Sequence, residues 1–261
     1  MLGLFDSGLG GLTVVRRVRS LLPTADLVFF ADQAHVPYGN RSPEDLRGLL
    51  RHNLRWLDEQ NVDAIVMGCN TSCAIADRYG WPATRAVVLD LIDSAAIAVE
   101  RAGYRRIGVV ATAATASSGA YGRRIRARVP GAIVVEVAAP ELVPLVEAGR
   151  VEGEEPRAAV LRACEGLPRD LDAVVLACTH YPILDAHFAA ALGAGTARLD
   201  PAVVQAERAV LLAGELKFGT GSGLARYVTN ADADAFRANV VRIAGDPNPR
   251  IERLAPQPVR T

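Results

Sequence analysis

The chain has 261 residues, half of them apolar, and its 29 basic residues balance its 29 acidic ones. That length suits one large or two smaller domains of about 100–200 residues with a substantial core. The charge balance provides no global field that would select nucleic acid, a membrane surface or a polyanion, so the expected partner is a small molecule. No segment approaches the roughly 20 consecutive apolar residues that span a bilayer. Asp6 interrupts the N-terminus before a signal-peptide core can form, so a cytoplasmic location is expected. The four cysteines, Cys69, Cys73, Cys164 and Cys178, are too few for a disulfide framework and read as free thiols.

Short apolar runs alternate with longer segments of helical period, the pattern of βα units around a parallel sheet, and the fold class is therefore α/β. In chain order, strands are expected at LGLF, LVFFA, AIVMG, AVVL, RIGVVA, AIVVEV, AVVLA and, with a weaker pattern, TARL. Helices lie between them, among them Pro43 to Glu59 and Glu154 to Glu165. From Ala206 to Gly245 the pattern is a helix, a glycine-rich break at FGTGSG, a short strand RYVT and a final helix. This stretch is expected to return and pack on the first half. Residues from Pro247 onward are expected to be loosely held.

Two stretches repeat one phrase: DAIVMGCNTSCAI from Asp63 to Ile75 and DAVVLACTHYPIL from Asp172 to Leu184. Each opens with Asp, runs through an apolar segment and reaches a Cys six residues later; Cys69 and Cys178 are 109 positions apart (178 − 69). Repetition at this spacing suggests two related halves. In parallel sheets, ligands bind just beyond the carboxyl ends of strands, where DSGLGG, CNTS and CTHYP fall. A single buried Cys ordinarily serves packing, the role expected for Cys73 and Cys164. Asn70, Thr71, Thr179 and His180, however, suit a ligand-facing loop at a helix N-terminus, where amides and the dipole favour an anion or a thiolate. Two thiols facing one bound carbon from opposite sides can take a proton on one face and return one on the other. That is the geometry of a racemase or epimerase. A thiol with an ordinary pKa near 8.5 serves as base in one direction and acid in the other. His180, two positions from Cys178, is placed to take its proton or orient it.

The motifs FDSGLGGLTV, VPYGNRS, GCNTSCA, VPLVEAG and CTHYP, in that order from Phe5 to Pro182, together with RYVTNADADAF, resemble the glutamate racemases. The resemblance implies two pseudo-symmetric parallel-sheet domains with the active site in the cleft between them. The first would comprise residues 1–95 with 207–261, and the second residues 96–206. It implies racemisation of L- and D-glutamate by a homodimer with neither metal nor organic cofactor, supplying D-glutamate for peptidoglycan. By this resemblance Cys69 acts on D-glutamate, assisted by Asp6, and Cys178 acts on L-glutamate, assisted by His180 with Glu147 behind it. Asp6, Ser7, Pro37, Tyr38, Gly39, Asn70, Thr71, Thr112, Thr115, Thr179 and His180 match positions that hold the substrate. The chain departs from the family pattern at Ala177, where Gly is usual, at His35, where Arg is common, and in the loop ATAAT.

Three other chemistries fit the sequence less well. GLGGLT follows a strand, with Asp32 about twenty residues on, as in a dinucleotide fingerprint. Thr13 takes the place of its third glycine, and Asp6 would repel a pyrophosphate. A zinc module built from Cys69, Cys73, Cys178 and His180 lacks the tight C-x-x-C spacing. A pyridoxal phosphate enzyme would need Lys217, the only lysine, far from any strand end. Aspartate racemase remains the runner-up within the superfamily.

Overall fold

The structure, a computed structural model, describes residues 1–256. The first strands and α-helices are β1 (Leu2–Asp6), α1 (Gly11–Leu21), β2 (Leu27–Ala31), α2 (Pro43–Glu59), β3 (Ala64–Met67), α3 (Asn70–Tyr79), β4 (Val87–Leu89) and α4 (Leu91–Ala102). The middle of the chain supplies β5 (Arg106–Ala111), α5 (Ala113–Ser118), α6 (Ala120–Arg128), β6 (Ile133–Ala138), α7 (Leu142–Glu147), α8 (Glu154–Glu165), β7 (Ala173–Ala177), α9 (Asp185–Leu192) and β8 (Ala197–Leu199). The chain then returns through α10 (Pro201–Leu216), β9 (Ala225–Thr229), α11 (Ala233–Asn239) and β10 (Arg250–Arg253).

These strands form two wholly parallel sheets. The six-stranded sheet runs β10-β9-β2-β1-β3-β4 and the four-stranded sheet β6-β5-β7-β8. The order β2-β1-β3-β4 is repeated as β6-β5-β7-β8, with β9 and β10 added to the first sheet by the returning C-terminal stretch. The two Cys phrases therefore occupy the same strand of each sheet, β3 and β7. Strands β1, β2, β3 and β7 are buried along their whole length, because helices cover both faces, and so they read as unbroken apolar runs. The expected domain limits at 95/96 and 206/207 fall inside α4 and α10, two helices that pack on each other.

Local chemistry fixes the helix starts. Ser42 caps α2 by accepting the Asp45 amide, with Pro43 in the first turn and Glu44 and Asp45 beside the positive helix end. Leu46, Leu49, Leu50, Leu54 and Leu57 then form the buried stripe of α2, each worth roughly 1.5–3 kcal/mol when fully removed from water. Residues from Pro247 onward are not uniformly loose: Arg250–Arg253 pairs with β9 as an edge strand, Arg226 forks onto Glu252, and the Leu254 amide donates to the Thr229 carbonyl. Residues 257–261 lie outside the described part. Among the described residues, no helix is long and apolar enough to cross a membrane.

Candidate active site

The first four strands of each sheet have the order in which a crevice opens between the first and third strands at their carboxyl ends. At that point β1 delivers Asp6 and Ser7, β3 delivers Cys69, β5 delivers Thr112 and β7 delivers Cys178. The two crevices face each other. Asp6, Ser7, Pro37, Tyr38, Gly39, Cys69, Asn70, Thr71, Thr112, Cys178, Thr179 and His180 line one cavity, closed by Val36 and Val143. Thr115 and Glu147 stand just behind its wall, bonded to Thr112 and His180.

Each thiol stands at the head of its own chain of polar groups. Cys69 is the N-cap of α3 and accepts the Ser72 amide at 3.5 Å, while its thiol reaches Ser7 Oγ at 3.5 Å. The Ser7 hydroxyl in turn meets Asp6 Oδ1 at 3.2 Å. On the other side Cys178 Sγ lies 3.6 Å from His180 Nδ1, and His180 Nε2 lies 2.5 Å from Glu147 Oε1. The two chains of groups are tied across the cleft: Thr179 Oγ1 donates to Asp6 Oδ2 at 2.8 Å, and the Leu9 amide donates to Glu147 Oε1 at 2.9 Å. The hydroxyls of Thr71, Thr112 and Thr115 form a third cross-cleft cluster, at 3.0–3.4 Å.

The glycine-rich turn after β1 is short of side chains because the other half presses against it. A Cβ on Gly10 would lie 2.6 Å from His180 Nδ1, and one on Gly8 would overlap Glu147 Oε1. The turn thus receives a carboxylate and an imidazole where a dinucleotide fingerprint would receive a pyrophosphate. Among the described residues, no three His, Cys, Asp or Glu side chains are grouped to hold a metal ion. Cys73 is buried in the core beside Asp90, away from the cavity, and Cys164 packs in the second half.

The family model described as Asp/Glu/Hydantoin racemase matches residues 12–209. The chain belongs to the aspartate/glutamate racemase family. It is an amino-acid racemase. A glutamate racemase of Gloeobacter violaceus is 47% identical over 204 residues, covering 78% of this chain and 77% of that protein. One from Desulforudis audaxviator is 37% identical over 262 residues, covering 96% of both. In three dimensions the chain resembles the glutamate racemase of Francisella tularensis, solved in complex with D-glutamate, with a TM-score of 0.87, 28% identity and 97% of each chain covered.

Burial sets the electrostatics of this racemase. Asp6 is pushed up to about 6 by desolvation, against the pull of the His180 charge and of its Thr179 and Ser7 donors. The Cys69 thiol is pushed up to about 12 by burial and the Asp6 charge, opposed by hydrogen bonds from Ser72 and Ser7. Desolvation works against a charge on His180, but its bonds to Cys178 and Glu147 outweigh that and raise its pKa well above the ordinary value. Desolvation would raise Glu147, yet His180 and the Leu9 amide bring it below the usual carboxylate range. Burial thus favours the proton on Cys69, while the His180–Glu147 contact favours the charged form of each partner.

Sequence reasoning missed three participants. Val36 and Val143, which wall the cavity, open the motifs VPYGNRS and VPLVEAG, so their signal was present. Tyr121 is fully buried on α6 and donates its hydroxyl across the cleft to Asn70 Oδ1. No local pattern marks it. Tyr38 lines the cavity, but its hydroxyl is engaged by Asp32 and Asn53, so it offers its ring and backbone to a ligand. Asp32 also accepts from Asn230 at 2.5 Å and meets His35 at 2.6 Å, anchoring the Pro37–Gly39 turn to the returning C-terminal stretch.

Proposed function

We propose that the protein interconverts L- and D-glutamate without a cofactor by passing the α-proton between Cys178 and Cys69, and that it supplies D-glutamate for peptidoglycan. The observation that carries the reading is the convergence of two thiols, from equivalent strands, on one cavity, each with its own acid–base relay. With L-glutamate, Cys178 acts as the thiolate, its proton already resting on His180, and removes the α-proton. The electron pair of the broken C–H bond stays on Cα and spreads into the adjoining carboxylate. The Cys69 thiol then delivers its proton to the opposite face and is left as a thiolate, facing Ser7 and Asp6. The reverse reaction exchanges the roles of the two thiols. Asn70, Thr71, Thr112, Thr115 and Thr179 supply hydroxyl and amide groups for the substrate's polar ends, with Ser7, Pro37, Tyr38 and Gly39 completing the pocket. Residues 1–95 with the described part of 207–261, and residues 96–206, are the lobes that would close on it.

The test is exchange in deuterated water, followed by proton NMR. Cys69→Ser and Cys178→Ser should each nearly abolish inversion, because every turnover needs an acid on one face and a base on the other. A variant that keeps one base still washes deuterium into the enantiomer facing it, so Cys69→Ser should label L-glutamate and Cys178→Ser should label D-glutamate. Labelling of the same enantiomer by both variants would overturn the two-thiol reading. In the unmodified enzyme, glutamate should exceed aspartate by at least about tenfold in kcat/KM, since donors left unpaired by the shorter acid cost on the order of 1–3 kcal/mol; equal rates would favour the aspartate racemase alternative.

A further inference from the structure

Ser72, the third residue of α3, is 1% exposed. Its hydroxyl is one of two side-chain oxygens or nitrogens among the described residues that are buried without any hydrogen-bond partner. An orphaned hydroxyl in a core is costly, and protein interiors seldom keep one without use. Its backbone amide already donates to Cys69 Sγ at 3.5 Å, so the side chain starts from the same turn as the reacting sulfur. From the other side, Ser7 meets that sulfur at 3.5 Å, but its hydroxyl hydrogen is drawn toward Asp6 Oδ1. The thiolate of Cys69 thus lacks a committed hydroxyl donor, and Ser72 holds an uncommitted one.

We propose that the Ser72 hydroxyl is a catalytic donor to Cys69, turning its hydrogen onto the sulfur when the thiol loses its proton. The inference rests on the assignment of Cys69 as a reacting thiol. The hydroxyl keeps its own proton throughout; the proton given up by sulfur goes to the substrate carbon. A bond that exists only with the thiolate stabilises the charge that develops during proton transfer and leaves the resting thiol alone. The Ser72 side chain lies near enough to the sulfur to work in the direction of a lower Cys69 pKa, against burial and the Asp6 charge.

The structure predicts opposite signs for stability and activity in Ser72→Ala. Removing a buried hydroxyl with no partner leaves the melting temperature unchanged or raises it. Racemisation kcat/KM should fall about tenfold, and the rate of Cys69 carboxamidomethylation by iodoacetamide at about pH 8, followed by mass spectrometry of its peptide, should fall by a similar factor, because that rate tracks the thiolate fraction. The corresponding rate at Cys178 should not change. An unaltered Cys69 alkylation rate, or a loss of activity accompanied by a melting temperature lower by several degrees, would overturn the proposal. Alkylation reports on the thiolate whether or not Cys69 takes part in turnover. A slowed alkylation in Ser72→Ala alongside an active Cys69→Ser enzyme would therefore retain the hydrogen bond, remove its catalytic role and refute the two-thiol reading separately.

Discussion

Replacing Asp6 with Asn should stabilise the protein in a manner that depends on pH. Desolvation lifts the Asp6 carboxyl from 3.8 to about 6, so the folded protein holds this proton more tightly than the unfolded chain does. A raised acid lowers stability as pH climbs from the unfolded to the folded pKa, and the full penalty remains above that window. That rise, at about 1.36 kcal/mol per pKa unit, gives a penalty of about 3 kcal/mol at neutral pH and above. Asn does not titrate and escapes it. Its Oδ1 can keep the Ser7 amide, and its Nδ2 can face the Thr179 hydroxyl, which turns to accept. In urea unfolding, the free-energy difference between Asp6→Asn and the parent should therefore move in favour of the variant by on the order of 1 kcal/mol between about pH 5 and about pH 8. Racemisation should meanwhile drop on the order of a hundredfold as the Cys69 relay loses its acid. A difference that stays constant across that pH range would refute a buried, raised Asp6 and the electrostatic reasoning built on it.

Gly10→Ala should lose nearly all activity, because the added methyl meets His180 Nδ1 and the Thr179 hydroxyl, and the cleft can no longer close; a substantial residual kcat would contradict the tight apposition. Cys73→Ser and Cys164→Ser should retain at least about a third of the parent activity and lose on the order of 1 kcal/mol of stability, as measured by urea unfolding, since both thiols lie in packed regions outside the cavity.

The strands that position the site were readable because burial on both faces writes them as unbroken β-branched runs: AIVMG and AVVLA coincide with β3 and β7, with the thiols just past their ends. Strand β10 was not readable. RIER is charged at three of its four positions, as an edge strand can be, and sits shortly after two prolines that argue for loop. Within the site, local spacing exposed Cys69, Cys178 and His180, whereas Thr112, Thr115 and Glu147 were reached only by family resemblance. The cross-cleft partners are harder still. Tyr121 and Asn70 are separated by 51 positions and Leu9 and Glu147 by 138, and contacts over such distances follow from how two sheets face each other, which no short window of sequence contains.

The cavity between the thiols measures about 20 Å³, room for about one water molecule, so a five-carbon diacid enters only when the halves part. Parting them draws the Leu9 amide away from Glu147 Oε1, the atom that also faces His180 Nε2. Without that donor the carboxylate becomes the stronger base, and the proton they share moves toward Glu147 and leaves the imidazole less charged. One oxygen atom thereby joins the two halves, held by the Leu9 amide from one side and His180 from the other, so that under the two-thiol proposal shutting the cleft would also set the charge on His180.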